Sequence, residues 1–302
     1  MSGARPTELL AACLLVGAGC QASQDDLSAV IASPTAVARA TRLEKALADH
    51  DATVGRAAPL AQWLLPHGLQ EVSGLALTRD GRLLVHDDEL GQVWEVDYRR
   101  GVLMKRFSLG TAVVKGDFEG ITVANDVVFL LASNGRLYEF PEGANGGQVP
   151  YKVHDTGLKK ECEFEGVAFD PAINALLLAC KHVYDKDVRG ALVIYRWSLK
   201  GDSGARLSRL AVPLAGVIGT NGWTNLEPSD ITIDPLTGDY VLVASKEKAL
   251  IAITPAGVPV FAHPLPAGHP QPEGVAITKD SILMISDEGG QGPGIITLYR
   301  WP

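Results

Sequence analysis

The chain has 302 residues, 46% of them hydrophobic, with 32 glycines and 18 prolines, which suits one large core and turn-dense β structure. A formal net charge of −8 without a basic tract argues against a nucleic-acid partner. Aromatic residues amount to 6%, few for a surface built to stack on sugars.

In chain order, Arg5 precedes the apolar run Leu9–Gly19. That run is about half the length a bilayer span requires, so residues 1–20 read as a signal peptide. Gly17-Ala18-Gly19 before Cys20 resembles a bacterial lipoprotein cleavage site, with Cys20 as the lipidated first residue of the mature protein. Such sites usually carry leucine where Gly17 stands. Leu10-Ala11-Ala12-Cys13 has the leucine but almost no apolar run before it. An ordinary cleaved signal or a misplaced start codon are the competing readings. The protein is expected outside the cytoplasm, as a lipoprotein on the periplasmic side of the inner or outer membrane, or secreted. Residues 21–57 are polar and alanine-rich and read as a flexible or partly helical tether, with Leu43 and Leu47 on one side of a helix over Thr35–Ala48. Later apolar runs are only strand length, so the lipid is the expected membrane attachment.

From 58 to 302 the sequence repeats. EVSGLAL (71–77), DFEGITV (117–123), EFEGVAF (163–169), EPSDITI (227–233) and QPEGVAI (271–277) align on Gly74, Gly120, Gly166, Asp230 and Gly274. The steps are 46, 46, 64 and 44 residues, the period of propeller blades. Each repeat continues with a second strand (83–87, 127–133, 175–180, 240–245, 282–286) and a third (92–96, 136–140, 192–197, 249–253, 295–301). A weaker fourth lies at 102–109, 151–154, 209–213 and 258–263. The last repeat lacks its fourth strand, and Pro59–Leu65 is the segment available to supply it. That pairing closes the ring and leaves no open sheet edge. The expected fold is therefore all-β, a five-bladed β-propeller closed by an N-terminal strand, behind a signal and tether. Tyr184–Gly190 and Ala215–Asn225 read as loop insertions in the long step.

Cys162 and Cys180 flank the first hairpin of the third repeat. Antiparallel pairing about the turn at 170–174 brings them together, so in an exported chain a disulfide is expected. Two buried free thiols are the alternative.

The chemistry precedes the aligned glycine. One and three residues before it stand Ser73 and Glu71, Glu119 and Asp117, Glu165 and Glu163, Ser229 and Glu227, and Glu273 and Gln271. Strict alternation puts these on one side of each first strand, shared with the apolar residues one and three after the glycine. With first strands innermost, the acids should gather at one channel mouth, where the second strands also return His86, Asp87, Asp88, Glu89, Lys181, Lys246, Ser286, Asp287 and Glu288. Converging carboxylates either rise in pKa or hold a cation. Oxygen ligands without a histidine set favour Ca²⁺, and the candidate ligands are Glu71, Asp88, Glu119, Glu165, Glu227, Glu273 and Asp287. The competing reading has these acids capping strand ends. No loop follows the EF-hand pattern.

SGLAL with HDDELGQVWEVD, then DFEGI, FEGVAFD, EPSDITIDPLTGDYVLVAS and EGVAI…ISDE, resemble the SdiA-regulated (YjiK-like) family over about residues 58–302. The resemblance implies a five-bladed propeller distantly related to NHL repeats and a bound calcium, but no settled activity. Cys180-Lys181-His182 stands where the family often has an acid or amide.

Two function classes follow. One is a monomeric, calcium-bound binding or scaffold module at the cell envelope, its partner a small molecule or an envelope protein. The other is a metal-dependent hydrolase, phytase-like or lactonase-like, with Lys115, Lys160, Lys181 and Lys246 near the mouth to hold a phosphate or to balance the acids. No GxSxG elbow or Ser-His-Asp order is present, and His86 reads as a solvated loop residue. No catalytic residue is assigned.

Overall fold

A computed structural model describes residues 24–48, 58–200, 206–219 and 221–302. Cys20 and the signal segment lie outside the described residues, as do residues 21–23 and 49–57 of the expected tether. The rest is a five-bladed β-propeller. Three blades are built from consecutive strands, and the second has Gln148–Val149 intervening before its outer strand Lys152–Asp155. The fifth orders Pro272–Ile277, Ile282–Asp287, Ile295–Arg300 and then Ala61–Leu64. The closing strand pairs antiparallel, Ala61 opposite Leu298 and Leu64 opposite Ile295, so the N-terminal segment completes the last blade.

The innermost strands are Val72–Leu77, Phe118–Ala124, Cys162–Asp170, Pro228–Ile233 and Pro272–Ile277. Each runs from the acidic mouth towards the opposite end of the channel and returns through a tight turn. The long third step is absorbed by two nine-residue strands, Cys162–Asp170 and Ala175–Val183, by a 3₁₀ turn at Lys186–Val188 and by a short helix at Leu214–Val217. A two-residue strand, Gln148–Val149, adds a parallel fifth strand to the first blade.

The core is a ring of apolar clusters between neighbouring blades. Phe107, Phe118, Ile121 and Leu130 fill the space between blades one and two, and Phe164, Val167 and Leu178 that between two and three. The closing interface buries Leu69, Leu75 and Val85 against Ile296 and Leu298. Leu43 of the helix Pro34–Ala48 joins this last cluster at 1% exposure. Burial of one such leucine contributes about 1.5–3 kcal/mol. Arg39 donates to the Arg100 carbonyl and stacks over Trp63, while Arg300 donates to the Ala46 and Leu47 carbonyls. Residues 34–48 therefore form a helix within the expected tether, and that helix is docked on the propeller. The buried stripe is Ala36, Ala40 and Leu43; two alanines made it too faint to recognise in the sequence.

Backbone crowding near the axis explains the glycine column. A Cβ on Gly120 would stand 2.9 Å from the Val167 nitrogen, and one on Gly166 would stand 2.7 Å from the Asp230 Cα. Asp230 takes the column position in blade four, where its carboxylate accepts from the N–H groups of Ile231 and Val275 at 2.8 Å. Burial pushes this carboxyl well above its ordinary pKa.

Candidate metal centre at the channel mouth

Every inner strand carries a β-bulge immediately before the column position. The pairing skips Ser73, Glu119, Glu165, Ser229 and Glu273 in turn. An unpaired residue breaks the alternation of side chains and re-aims them. Strict alternation, which put the acids on one side with the later apolar residues, is thereby corrected. Phe118 and Ile121, three residues apart, pack in one cluster, as do Phe164 and Val167. The bulged acids Glu119, Glu165 and Glu273 are turned into the mouth instead. Blade three has a second irregularity opposite, where Phe164 pairs with Cys180 and Lys181 is skipped. Lys181 thus meets Glu165, Nζ to Oε1 at 2.8 Å.

A cavity of about 250 Å³ is lined by Glu71, Asp88, Glu119, Glu165, Lys181 and Glu273, together with Gln271 and Glu288. Five of the seven sequence-derived ligands therefore converge. Glu227 does not line the cavity. It accepts from Asn225 at 3.0 Å, pairs with Lys246 and lies 3.5 Å from His182 Nε2. Burial pushes the Glu227 carboxyl up, but Lys246 and Asn225 outweigh burial and leave its pKa below the ordinary value. Asp287 is turned away altogether. It is 1% exposed, with His269 Nδ1 at 2.5 Å and the Gln271 N–H at 3.2 Å, and His269 Nε2 reaches the Tyr299 hydroxyl at 2.7 Å. Neighbouring strand residues point to opposite faces, so Ser286 and Asp287 could not both face one site.

The converging acids fall into two groups. Glu119, Glu165 and Glu273 surround Lys181. Burial first, then Glu165 and Asp117, pushes Glu119 up to about 9; burial raises Glu165 to about 7 against the pull of Lys181; burial and then Glu165 raise Glu273 to about 7. The second group is Glu71, Asp87 and Asp88, whose carboxylate oxygens lie within 4.8 Å of one another. Asp88 is pushed up to about 7 by burial and then by Asp87, Glu71 and Glu288. Its Oδ1 is buried without a hydrogen-bond partner among the described residues. The Asp88 backbone is fixed from both sides, its N–H donating to the Glu71 carbonyl at 3.3 Å and its carbonyl accepting from Phe118 at 2.7 Å. Sequence reasoning placed Asp87 and Glu288 at the mouth but left them out of the ligand set; the run of acids at the strand ends was the available signal.

Of the four lysines considered, Lys181 enters the cavity and Lys246 pairs with Glu227 at its rim, whereas Lys115 and Lys160 are exposed elsewhere. His86 is buried at 0% exposure, not solvated. Burial drops it to about 4, and its Nε2 lies where a Cβ on Gly74 would meet it at 2.6 Å. A disulfide joins Cys162 and Cys180, Cα atoms 5.7 Å apart, next to Glu163 and Lys181.

No family model matches this chain, and no curated protein matches it. Solved structures do. Glutaminyl cyclase from Myxococcus xanthus is 12% identical with a TM-score of 0.53, covering 80% of this chain and 94% of that one. PQQ-bound aldose sugar dehydrogenase from Streptomyces coelicolor is 17% identical with a TM-score of 0.49, covering 79% and 98%. A gluconolactonase from Xanthomonas campestris is 14% identical with a TM-score of 0.46, covering 76% and 72%. The likeness is one of fold. The chemistry has to be read from this chain's own mouth.

Proposed function

We propose that this protein is an exported, lipid-anchored β-propeller of the SdiA-regulated type that binds Ca²⁺ at one channel mouth and serves as a binding module at the cell envelope. The observation that carries this reading is the buried, unpartnered Asp88 Oδ1 beside Glu71 and Asp87. Two ligands on one Ca²⁺ at about 2.3–2.6 Å stand at most about 5 Å apart, so the 4.8 Å grouping fits a single ion. Among the described residues, no ion pair engages these three acids, whereas Lys181 already serves the other group. Gln271 and Glu288 in the cavity lining offer further oxygens. Bound calcium would supply the positive charge that this half of the mouth lacks, and Glu71, Asp87 and Asp88 would hold it. The anchor rests on Cys20 and its preceding small residues.

Calcium titration of the full chain after chelation tests the reading. Added Ca²⁺ should raise the melting temperature more than Mg²⁺ does. A melting curve unmoved by chelator and by calcium, with no heat of binding, would remove the site.

A metal-dependent hydrolase is the second reading, favoured by Lys181 standing in the same cavity as carboxyls poised at about 7. Such groups exchange protons near neutrality. Phosphoesters and lactones offered with Ca²⁺ separate the readings, because turnover that disappears in Lys181→Met or Asp88→Asn would select the hydrolase.

A further inference from the structure

The opposite end of the channel carries a repeated turn, Thr78-Arg79-Asp80 in the first blade and Thr278-Lys279-Asp280 in the fifth. Both fold alike. Each threonine hydroxyl accepts the backbone N–H four residues on, from Arg82 at 2.9 Å and from Ile282 at 3.0 Å. Because the two blades adjoin across the ring closure, the turns stand side by side. Together with Tyr98, Arg99 and Pro235 they line a cavity of about 460 Å³.

The charges in this cavity do not cancel. Asp80 is engaged by Arg82 at 2.8 Å and by the Thr78 hydroxyl at 2.6 Å. Asp280 is engaged by Arg99. Arg79 and Lys279 are exposed and, among the described residues, have neither an ion-pair nor a hydrogen-bond partner. Arg79 and Lys279 thus stand at equivalent positions on adjacent blades and line one cavity as two cations without a counter-charge of their own. The other mouth is lined by Glu71, Asp88, Glu119, Glu165 and Glu273, whereas the two acids of this cavity are already engaged, so an anion meets unpaired positive charge here.

We propose that this cavity binds a phosphate group between Arg79 and Lys279. A guanidinium fork suits two oxygens of a tetrahedral anion, and an ammonium adds a point charge to a third. The phosphate belongs either to a free phosphate or to a phospholipid headgroup. The inference does not rest on the calcium reading, which concerns the other end of the channel.

The test uses the full chain in excess chelator, so that no metal at the acidic mouth can bridge the anion. Inorganic phosphate is titrated by calorimetry and by melting temperature, against chloride at matched ionic strength. In parallel, sedimentation compares phosphatidylglycerol with phosphatidylcholine vesicles. Arg79→Gln and Lys279→Gln should each weaken binding about tenfold, the double variant should abolish it, and Lys159→Gln, at an exposed lysine outside the cavity, should leave it intact. A phosphate response lost in the double variant assigns the free anion. A preference for anionic vesicles, lost in that variant without any response to free phosphate, assigns the headgroup. The proposal is overturned if wild type prefers neither phosphate nor anionic vesicles, or if binding survives in the double variant.

Discussion

The two halves of the acidic mouth come from different positions of the repeat and answer the same problem differently. Glu119, Glu165 and Glu273 stand one residue before the column, whereas Glu71 stands three before it and Asp87 and Asp88 come from a second-strand end. Around Glu119, Glu165 and Glu273 the chain brings its own cation, Lys181, on a bulged stretch of the second strand of blade three. Around Glu71, Asp87 and Asp88 the described residues bring none and leave Asp88 Oδ1 without a partner. A carboxylate cluster in a partly desolvated mouth has to be neutralised by protons, a side chain or an ion. Repeats therefore supply acids generically, and a single lysine decides which half needs help from solution.

The largest expected effect removes a residue that the sequence grouped with the cation half. Asp287→Ala strips His269 and the Gln271 N–H of their buried partner and should cost about 3 kcal/mol in denaturant unfolding. The calcium increment should nevertheless survive; its disappearance would return Asp287 to the ligand set.

The next effect belongs to the cation half itself. At a hundredfold excess over Kd, calcium should stabilise wild type by about 2.7 kcal/mol, read as a rise in melting temperature. Asp88→Asn should abolish most of that rise, whereas Glu165→Gln on the lysine half should keep most of it. Equal losses in both variants would merge the two halves into one site.

pH sharpens the contrast from the lysine half. The Glu119 carboxyl rises from 4.5 to about 9 on folding, so the folded state holds a proton that the unfolded state releases. Wild-type stability from this group is complete below about pH 4.5 and is lost as pH rises towards 9. In chelator, Glu119→Gln should match wild type near pH 4.5 and exceed it increasingly as the pH rises to 8, by at most about 1.4 kcal/mol per pH unit. A difference that does not change with pH would place Glu119 in contact with water. The smallest effect is at the rim, where Glu227→Gln breaks the pair with a mostly exposed Lys246 and should cost under about 1 kcal/mol. Calcium binding should be untouched by it.

The blade count and the closure were legible because each repeat states its strands locally, and because one missing strand at the end of the chain left Pro59–Leu65 as its only match. The disulfide partners were legible for a similar reason, as a hairpin fixes its own ends. Strict alternation failed at the bulges, which no residue type announces: serine and glutamate occupy the bulged position equally well. It failed again at Asp287, the last residue of its strand, where a single step chooses between the mouth and His269. Asp87 was present in the acidic run but could not be chosen over Asp88 from its spacing alone.

By itself, then, the sequence determined a five-bladed ring, the end of the channel where acids collect and the oxygen-rich character of that end, since these follow from periodicity and strand direction. The tertiary structure decided which acids meet one another, that Lys181 neutralises three of them, and that Arg79 and Lys279 face one cavity across the closure. Those outcomes depend on bulges and on contacts between blades far apart in the chain, where displacement by one residue reverses the direction of a side chain.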